Sequence, residues 1–503
     1  MLTESGLRQA ARTFVLIWAG LCAFTSARAQ QGMGDYRDVR ELPDTPAGKR
    51  VAELIETLNS DDPQRVRRFI EDSTTGPFRE EIPLADHQQV FREVATGSGG
   101  VEFYGIRQYE QPRPPGEIVA IVRGKLDERW RGLVVNVQTE EPHKIVGIQF
   151  APARPPHEAE PPPALPLDEA LARLSDYVNR LVAADTFSGT VLIARDGKVI
   201  FERAAGQACK RYDVPNRIDT KFNLGSMNKM FTAVAIAQLA EQDKLSYTDP
   251  VSRWLSSDWL PAEVADRIAI EHLLTHTSGL GSYFNERFMS ASRDRFRKVD
   301  DYRPLVAGES LRFEPGSDWG YSNTGFLLLG AIIEKVSGQD YFDYVRAHIY
   351  QPAGMTNSDC YDMDRPVPNL AMGYSRASDG DIPWTDNLFK HVIRGGPAGG
   401  GFATVHDLLK FDQTLRSGKL IKSETAARLW TPKPQSPNYG YGFSLEGQPS
   451  QRIVGHGGGF PGISAKLEMH LDSGFTIAVL SNYDGGAMPI ADRARELLTN
   501  LKP

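Results

Sequence analysis

Apolar residues follow two different rhythms along this chain, and the order in which the rhythms change divides it. Between residues 45 and 151 a three-to-four-residue spacing comes first, over 47–58 and again over 64–70 after the break Ser60-Asp61-Asp62-Pro63. Beyond Gly97-Ser98-Gly99-Gly100 the pattern turns to short β-type runs at 101–104, 118–123, 133–138 and 145–150. That order predicts a small α+β domain over 45–151. Residues 152–166 hold seven prolines and few large apolar side chains, the pattern of a semi-rigid linker.

Residues 167–503 start again with a helical pattern at 167–184. A hairpin follows, with runs at 189–194 and 199–202 joined through Asp196-Gly197. From Ser226 onward Met230, Ala233, Val234 and Ala237 keep the spacing of one helix face, so an amphipathic helix is expected to 239. A second apolar helix is expected at 326–336, strands at 452–454, 465–469 and 476–481, and a last helix at 490–501. Two early strands, three late ones and a helix at each end predict one antiparallel sheet closed by both ends of the domain. The helical material between would form a separate lobe, with a cleft at the seam.

Composition narrows what this architecture does. The 503 residues are 41% hydrophobic and 24% charged, enough apolar side chain to build folded cores over most of the length. A net charge of −7 with pI near 5.9 argues against an electrostatic nucleic-acid binder. Residues 1–29 read as a signal peptide: Arg8 and Arg12, an apolar run at 14–24, then Ala27-Arg28-Ala29. The run is too short to span a bilayer comfortably, although an uncleaved anchor is the competing reading. Cleavage would place the mature chain in the periplasm or outside the cell. It would retain only Cys209 and Cys360, too few for a disulfide framework or a thiolate metal site. The 45–151 domain offers no cluster of catalytic groups; Asp86 and His87 read as solvated surface residues, and the partner of this domain is unknown.

Three stretches carry candidate chemistry. Ser226 and Lys229 stand one turn apart at a helix start. A serine there is commonly only a cap, but an unpaired lysine on the apolar side is costly to bury, and a desolvated amine can take a serine's proton. Tyr321 and Asn323 lie two apart on a turn before the second helix, placing a phenol and an amide where both can face a cleft. Gly455-His456-Gly457-Gly458-Gly459 enters a late strand, where glycines let a substrate approach the edge and an exposed N–H can complete an oxyanion hole. Each stretch alone has an ordinary structural reading. His272 and His276 have the spacing of a zinc pair but lack an evident third ligand, so no metal is expected.

Taken in order, Ser-x-x-Lys, then Tyr-x-Asn, then His-Gly-Gly resembles the active-site set of the penicillin-recognising serine hydrolases. The similarity is to the branch holding class C β-lactamases, D-alanyl-D-alanine peptidases and related esterases. It extends to the 272–280 segment, Phe313-Glu314-Pro315-Gly316 and Pro397-Ala398-Gly399-Gly400-Gly401, and covers roughly 167 to the end. The opening domain faintly resembles the nuclear-transport-factor-2-like fold.

The resemblance implies a β-lactamase-like α+β fold with Ser226 as acyl-enzyme nucleophile and Lys229 and Tyr321 exchanging the proton. Asn323, His456, Gly458 and Gly459 would serve substrate and oxyanion, with no cofactor. Small esters, amides, peptides or β-lactam-like molecules are the implied substrates; a cell-wall-peptide binder that acylates without turnover is the alternative. His456 and Gly457 replace the Lys-Thr usual at the third motif, which implies weaker holding of a substrate carboxylate and a preference for uncharged esters or amides. Acidification towards pH 6 is expected to charge His456; an Arg from elsewhere, with Arg394 in the glycine-rich approach to Gly399 as the candidate, is the alternative that would restore the missing cation.

Overall fold

The structure is a computed structural model that describes residues 36–60, 62–159, 163–377 and 384–502. The signal-type segment 1–29 and part of the proline-rich stretch lie outside the described residues. The chain divides into two compact units, one comprising 1–186, 376–385 and 499–503, the other 187–375 and 386–498.

In the first unit β1 (Tyr36–Val39) precedes four helices, α1 (Pro46–Leu58), α2 (Pro63–Ser73), α3 (Gly76–Glu81) and α4 (Leu84–Ser98). Strands β2 (Val101–Tyr109), β3 (Glu117–Gly124), β4 (Trp130–Val137) and β5 (Ile145–Pro152) follow, and the five strands pair in chain order as an antiparallel sheet. The break at 60–63 is the start of α2: the Asp62 carboxylate accepts the Gln64 N–H at 2.8 Å, and Pro63 occupies the first turn. Val51 and Leu54 of α1 and Phe69 and Phe91 of α2 and α4 pack on Val122, Leu133 and Val135 of the sheet. Helix α4 and strand β1 were not foreseen. The few fully buried side chains of α4 include His87 and Phe91, too sparse for a periodic signal. His87 is not the solvated residue the sequence suggested: it is buried and stacks on Phe78 at 4.9 Å. The helix α5 (Leu167–Ala183) groups with this unit, where Tyr177 donates to the Asp127 carbonyl.

The second unit is built on a six-stranded antiparallel sheet. Its early strands are β6 (Gly189–Arg195) and β7 (Lys198–Ala205); its late ones are β8 (Ser444–Gln448), β9 (Gln451–Phe460), β10 (Ile463–His470) and β11 (Phe475–Ser481). The spatial order is β8-β9-β10-β11-β6-β7, so the first hairpin joins the late strands through β11. That closure matches the expectation except for β8, whose polar run Ser-Leu-Glu-Gly-Gln gives little strand signal. Pairing of β8 with β9 reaches Ser444 opposite Gly455 and stops, leaving the rest of β9 without that neighbour.

Helix α6 (Asn228–Glu241) lies in the main core with α7 (Asn323–Ser337) and α8 (Val405–Arg416). It is not amphipathic as expected: every side chain from Asn228 to Ala237 is buried. Elsewhere in this unit, Arg495 of the closing helix α9 (Ala487–Thr499) pairs with Glu468 and Glu446, and Lys466 reaches Glu446 at 2.5 Å.

Candidate active site

Ser226 sits in a single 3-10 turn, Gly225–Met227, that runs directly into α6. Gly225 adopts φ +50°, the left-handed region that glycine tolerates best. Strand β9 comes up against this turn so closely that a Cβ on Gly458 would stand 1.8 Å from the Leu224 carbonyl oxygen and 3.0 Å from the Ser226 nitrogen. A Cβ on Gly225 would in turn fall 2.8 Å from the Gly459 nitrogen. A glycine at 458 is therefore a packing requirement, and the close approach brings the backbone N–H groups of Ser226 and Gly459 near one another.

Lys229, one turn on, has no exposure to solvent. Its Nζ donates to Asn323 Oδ1 at 2.9 Å and to the Ala398 carbonyl at 2.5 Å, and lies 4.9 Å from the centre of the Tyr321 ring. Burial without a carboxylate partner pushes the amine well below the usual lysine range. Asn323 opens α7 and its Nδ2 donates to Ser282 Oγ at 3.2 Å, so its amide bridges Lys229 and the loop at Ser282. The Tyr321 phenol hydrogen-bonds Ser226; burial raises its pKa, and that bond offsets only part of the rise. Ser226, Lys229, Tyr321, Asn323, Gly458 and Gly459 thus converge from a helix, a turn and a strand.

His456 belongs to the same locality but not in the form expected. It is wholly buried, with Nδ1 at 2.5 Å from the Gly457 carbonyl and Nε2 at 2.9 Å from the Tyr439 hydroxyl. A carbonyl only accepts, so Nδ1 carries the proton and Tyr439 donates to Nε2. Burial, reinforced by Lys229, lowers its pKa to about 3. Acidification to pH 6 therefore does not charge it, which overturns that expectation. Arg394 is no substitute cation either: its Nε donates to the Cys360 carbonyl and its guanidinium lies 3.7 Å over the Phe342 ring.

His272 and His276 also have structural work. His272 Nδ1 accepts the Ala269 N–H at 3.2 Å; His276 Nδ1 accepts the Ser322 N–H at 3.1 Å and its ring lies against Tyr321 and Tyr439. Among the described residues no group of three or more His, Cys, Asp or Glu is placed to hold a metal ion. Tyr439, Ser282 and the Ala398 carbonyl are site components that sequence reasoning missed. The Pro397-Ala398-Gly399 stretch was noted as a match, but nothing in it distinguishes a backbone acceptor from a turn.

A family profile described as Beta-lactamase matches residues 174–501. The chain belongs to the β-lactamase family. It is 33% identical over 312 residues to Penicillin-binding protein 4* of Bacillus subtilis (strain 168), spanning 59% of this chain and 68% of that protein. Esterase EstB of Burkholderia gladioli is 29% identical over 388 residues, which cover 67% of this chain and 97% of the esterase. Among solved structures, a penicillin binding protein from Bacillus halodurans superposes with a TM-score of 0.58 at 32% identity, over 63% of this chain and 98% of its own. The fold is β-lactamase-like and mixed α+β, and the chain is a serine hydrolase of this family.

Proposed function

We propose that the chain is an exported serine hydrolase that turns over small uncharged esters or amides through an acyl-enzyme on Ser226. The observation that carries this reading is the state of Lys229, a buried amine held by two neutral acceptors beside the Tyr321–Ser226 hydrogen bond. A neutral amine has two N–H bonds and one lone pair. With the hydrogens given to Asn323 and Ala398, the lone pair is left for a proton.

In this reading Ser226 Oγ attacks the substrate carbonyl and its proton passes through the Tyr321 hydroxyl to Lys229. The N–H groups of Ser226 and Gly459 hold the oxyanion. Collapse of the tetrahedral species breaks the bond to the leaving group, which takes the proton back by the same route. Water then attacks the acyl-enzyme, and Ser226 is regenerated. The preference for uncharged substrates is supported by His456, which is neutral and has both ring nitrogens bonded within the protein. A resemblance to an esterase over 97% of that esterase's length agrees with it. Export rests on the sequence pattern of residues 1–29, and among the described residues no helix is long and apolar enough to cross a membrane.

The test is turnover of p-nitrophenyl acetate by wild type and Ser226→Ala, with mass spectrometry of the protein after mixing with a reporter penicillin. Repeated ester turnover that Ser226→Ala abolishes supports the reading. Stable stoichiometric acylation with no turnover would replace it with a binder or sensor, and activity surviving Ser226→Ala would refute the nucleophile.

A further inference from the structure

The turn bearing Ser226 is clamped from behind by residues in none of the three motifs. The Asn223 side chain accepts the Gly225 N–H through Oδ1 at 2.9 Å. Its Nδ2 faces His391 Nε2 at 2.6 Å and the Gly400 carbonyl at 3.3 Å. The Gly400 N–H in turn donates to the Gly225 carbonyl at 3.0 Å. Both hydrogen-bonding groups of Gly225 are thereby pinned, by Asn223 on one side and Gly400 on the other.

The direction of that pinning matters because the Gly225 carbonyl and the Ser226 N–H share one planar trans peptide and point opposite ways. Holding the carbonyl on Gly400 aims the Ser226 N–H away from the glycine loop. A Cβ on Gly399 would lie 2.9 Å from the same carbonyl oxygen, so the loop closes on that peptide with no room for a side chain. The orientation of the Asn223 amide is set by His391. Nδ1 of His391 lies 2.5 Å from the Val392 carbonyl, which only accepts, so Nδ1 carries the proton and Nε2 is an acceptor. An acceptor there requires the Asn223 NH2 on that side and leaves Oδ1 for Gly225. Burial keeps the ring neutral, lowering its pKa to about 4.

We propose that Asn223 and His391 are positioning residues for the oxyanion hole: by fixing the Leu224–Gly225 peptide they hold the Gly225 backbone in register with Gly400, which sets the next peptide plane and so the direction of the Ser226 N–H. This rests on the acyl-enzyme reading of Ser226. Neither residue touches the substrate; both act one peptide back, holding the N–H of the Leu224–Gly225 peptide while Gly400 holds the Gly225 carbonyl of the peptide that carries the Ser226 N–H.

The experiment compares kcat/KM for p-nitrophenyl acetate and its thiono analogue in the full chain. Sulfur accepts hydrogen bonds poorly, so a well-aimed hole favours the oxoester and a misaimed one loses that preference. Loss of one oxyanion donor costs about 10²–10³-fold, and misaiming one is expected to cost less, about 10-fold. His391→Phe should lower oxoester kcat/KM by that factor and the oxo-to-thiono ratio in parallel. His391→Gln, whose amide oxygen can accept from Asn223, should restore both to within about 3-fold. Asn223→Ala, which frees the Gly225 N–H directly, should lower the ratio at least as far and decides the matter if His391→Phe does not fold. A folded variant with an unchanged ratio overturns the proposal, whether or not its activity falls. Wild type that fails to turn over, or turnover that survives Ser226→Ala, overturns the acyl-enzyme reading instead.

Discussion

Two buried lysines in the same unit are driven in opposite directions. Lys466 on β10 has Glu446 at 2.5 Å and Glu468 at 3.7 Å; burial alone would lower its pKa, and the two carboxylates outweigh it and raise it. Lys229 on α6 donates to an amide oxygen and a backbone carbonyl and faces the Tyr321 and Phe326 rings, and burial lowers it well below the usual range. One is a permanent cation within a closed ion network; the other is an amine able to accept a proton. Depth is common to both, so the partners decide which buried lysine is scaffold and which can do chemistry.

The comparison breaks most sharply at Lys229. Lys229→Met should lower kcat/KM on a p-nitrophenyl ester by about 10²–10⁴-fold, the usual worth of a positioned proton acceptor. The same change should stabilise the fold at pH 7 by roughly 1–2 kcal/mol, as removal of a costly functional group commonly does. The sign follows from linkage: the unfolded lysine binds a proton that the folded one releases, so the penalty is large at neutral pH and shrinks as pH rises towards 10.5. Urea titrations of both proteins at pH 7 and pH 10 check it. A stability gap that widened with pH would contradict a depressed Lys229.

Lys466→Met should do the reverse. It leaves the buried Glu468 and the half-buried Glu446 facing mainly Arg495, and breaking such a network costs roughly 3–5 kcal/mol. Denaturant unfolding measures that loss, and kcat of the folded fraction should stay within about 2-fold of wild type, since the network is absent from the proposed chemistry. Glu468 is depressed in the fold, because Arg495 and Lys466 outweigh the opposing effect of burial. Its stabilising share is therefore present above pH 4.5 and drains away as pH falls through its depressed value.

The smallest effect concerns His456. With its pKa lowered to about 3, the ratio of ester to cephalosporin kcat/KM should change by less than about 2-fold between pH 6 and pH 8. A ratio that moved towards the cephalosporin at pH 6 would mean that His456 gains charge in the working enzyme.

How much of this was legible in the sequence depends on the kind of signal. Strand β11 announced itself by a continuous apolar run, β10 by the alternation of Ala465, Leu467 and Met469 with Lys466 and Glu468, and β9 by Ile453-Val454, while the Ser226, Tyr321 and His456 stretches did so by their order along the chain. Strand β8 and helix α4 did not, because an edge strand and a thinly buried helix need few apolar residues. Lys229 was recognisable as an expensive residue in an apolar helix, although the helix is buried all round. The neutrality of His456 was not recognisable, since it depends on Tyr439, seventeen positions away, and on complete burial. Nor was Asn223, three residues before the nucleophile, whose role emerges only when Gly400 and His391 come back beside it.

The glycine triplet beside the Ser226 turn bears on how this enzyme can change. At Gly458 a side chain would run into the Leu224 backbone at 1.8 Å, whereas a Cβ on Gly457 or Gly459 meets nothing closer than 3.6 Å and 3.9 Å respectively. Selection and protein engineering alike therefore have two open doors separated by a locked one. Variation in substrate range should enter through 457 and 459 and leave 458 fixed, so a library spread evenly over all three would waste a third of its members on a position that cannot move.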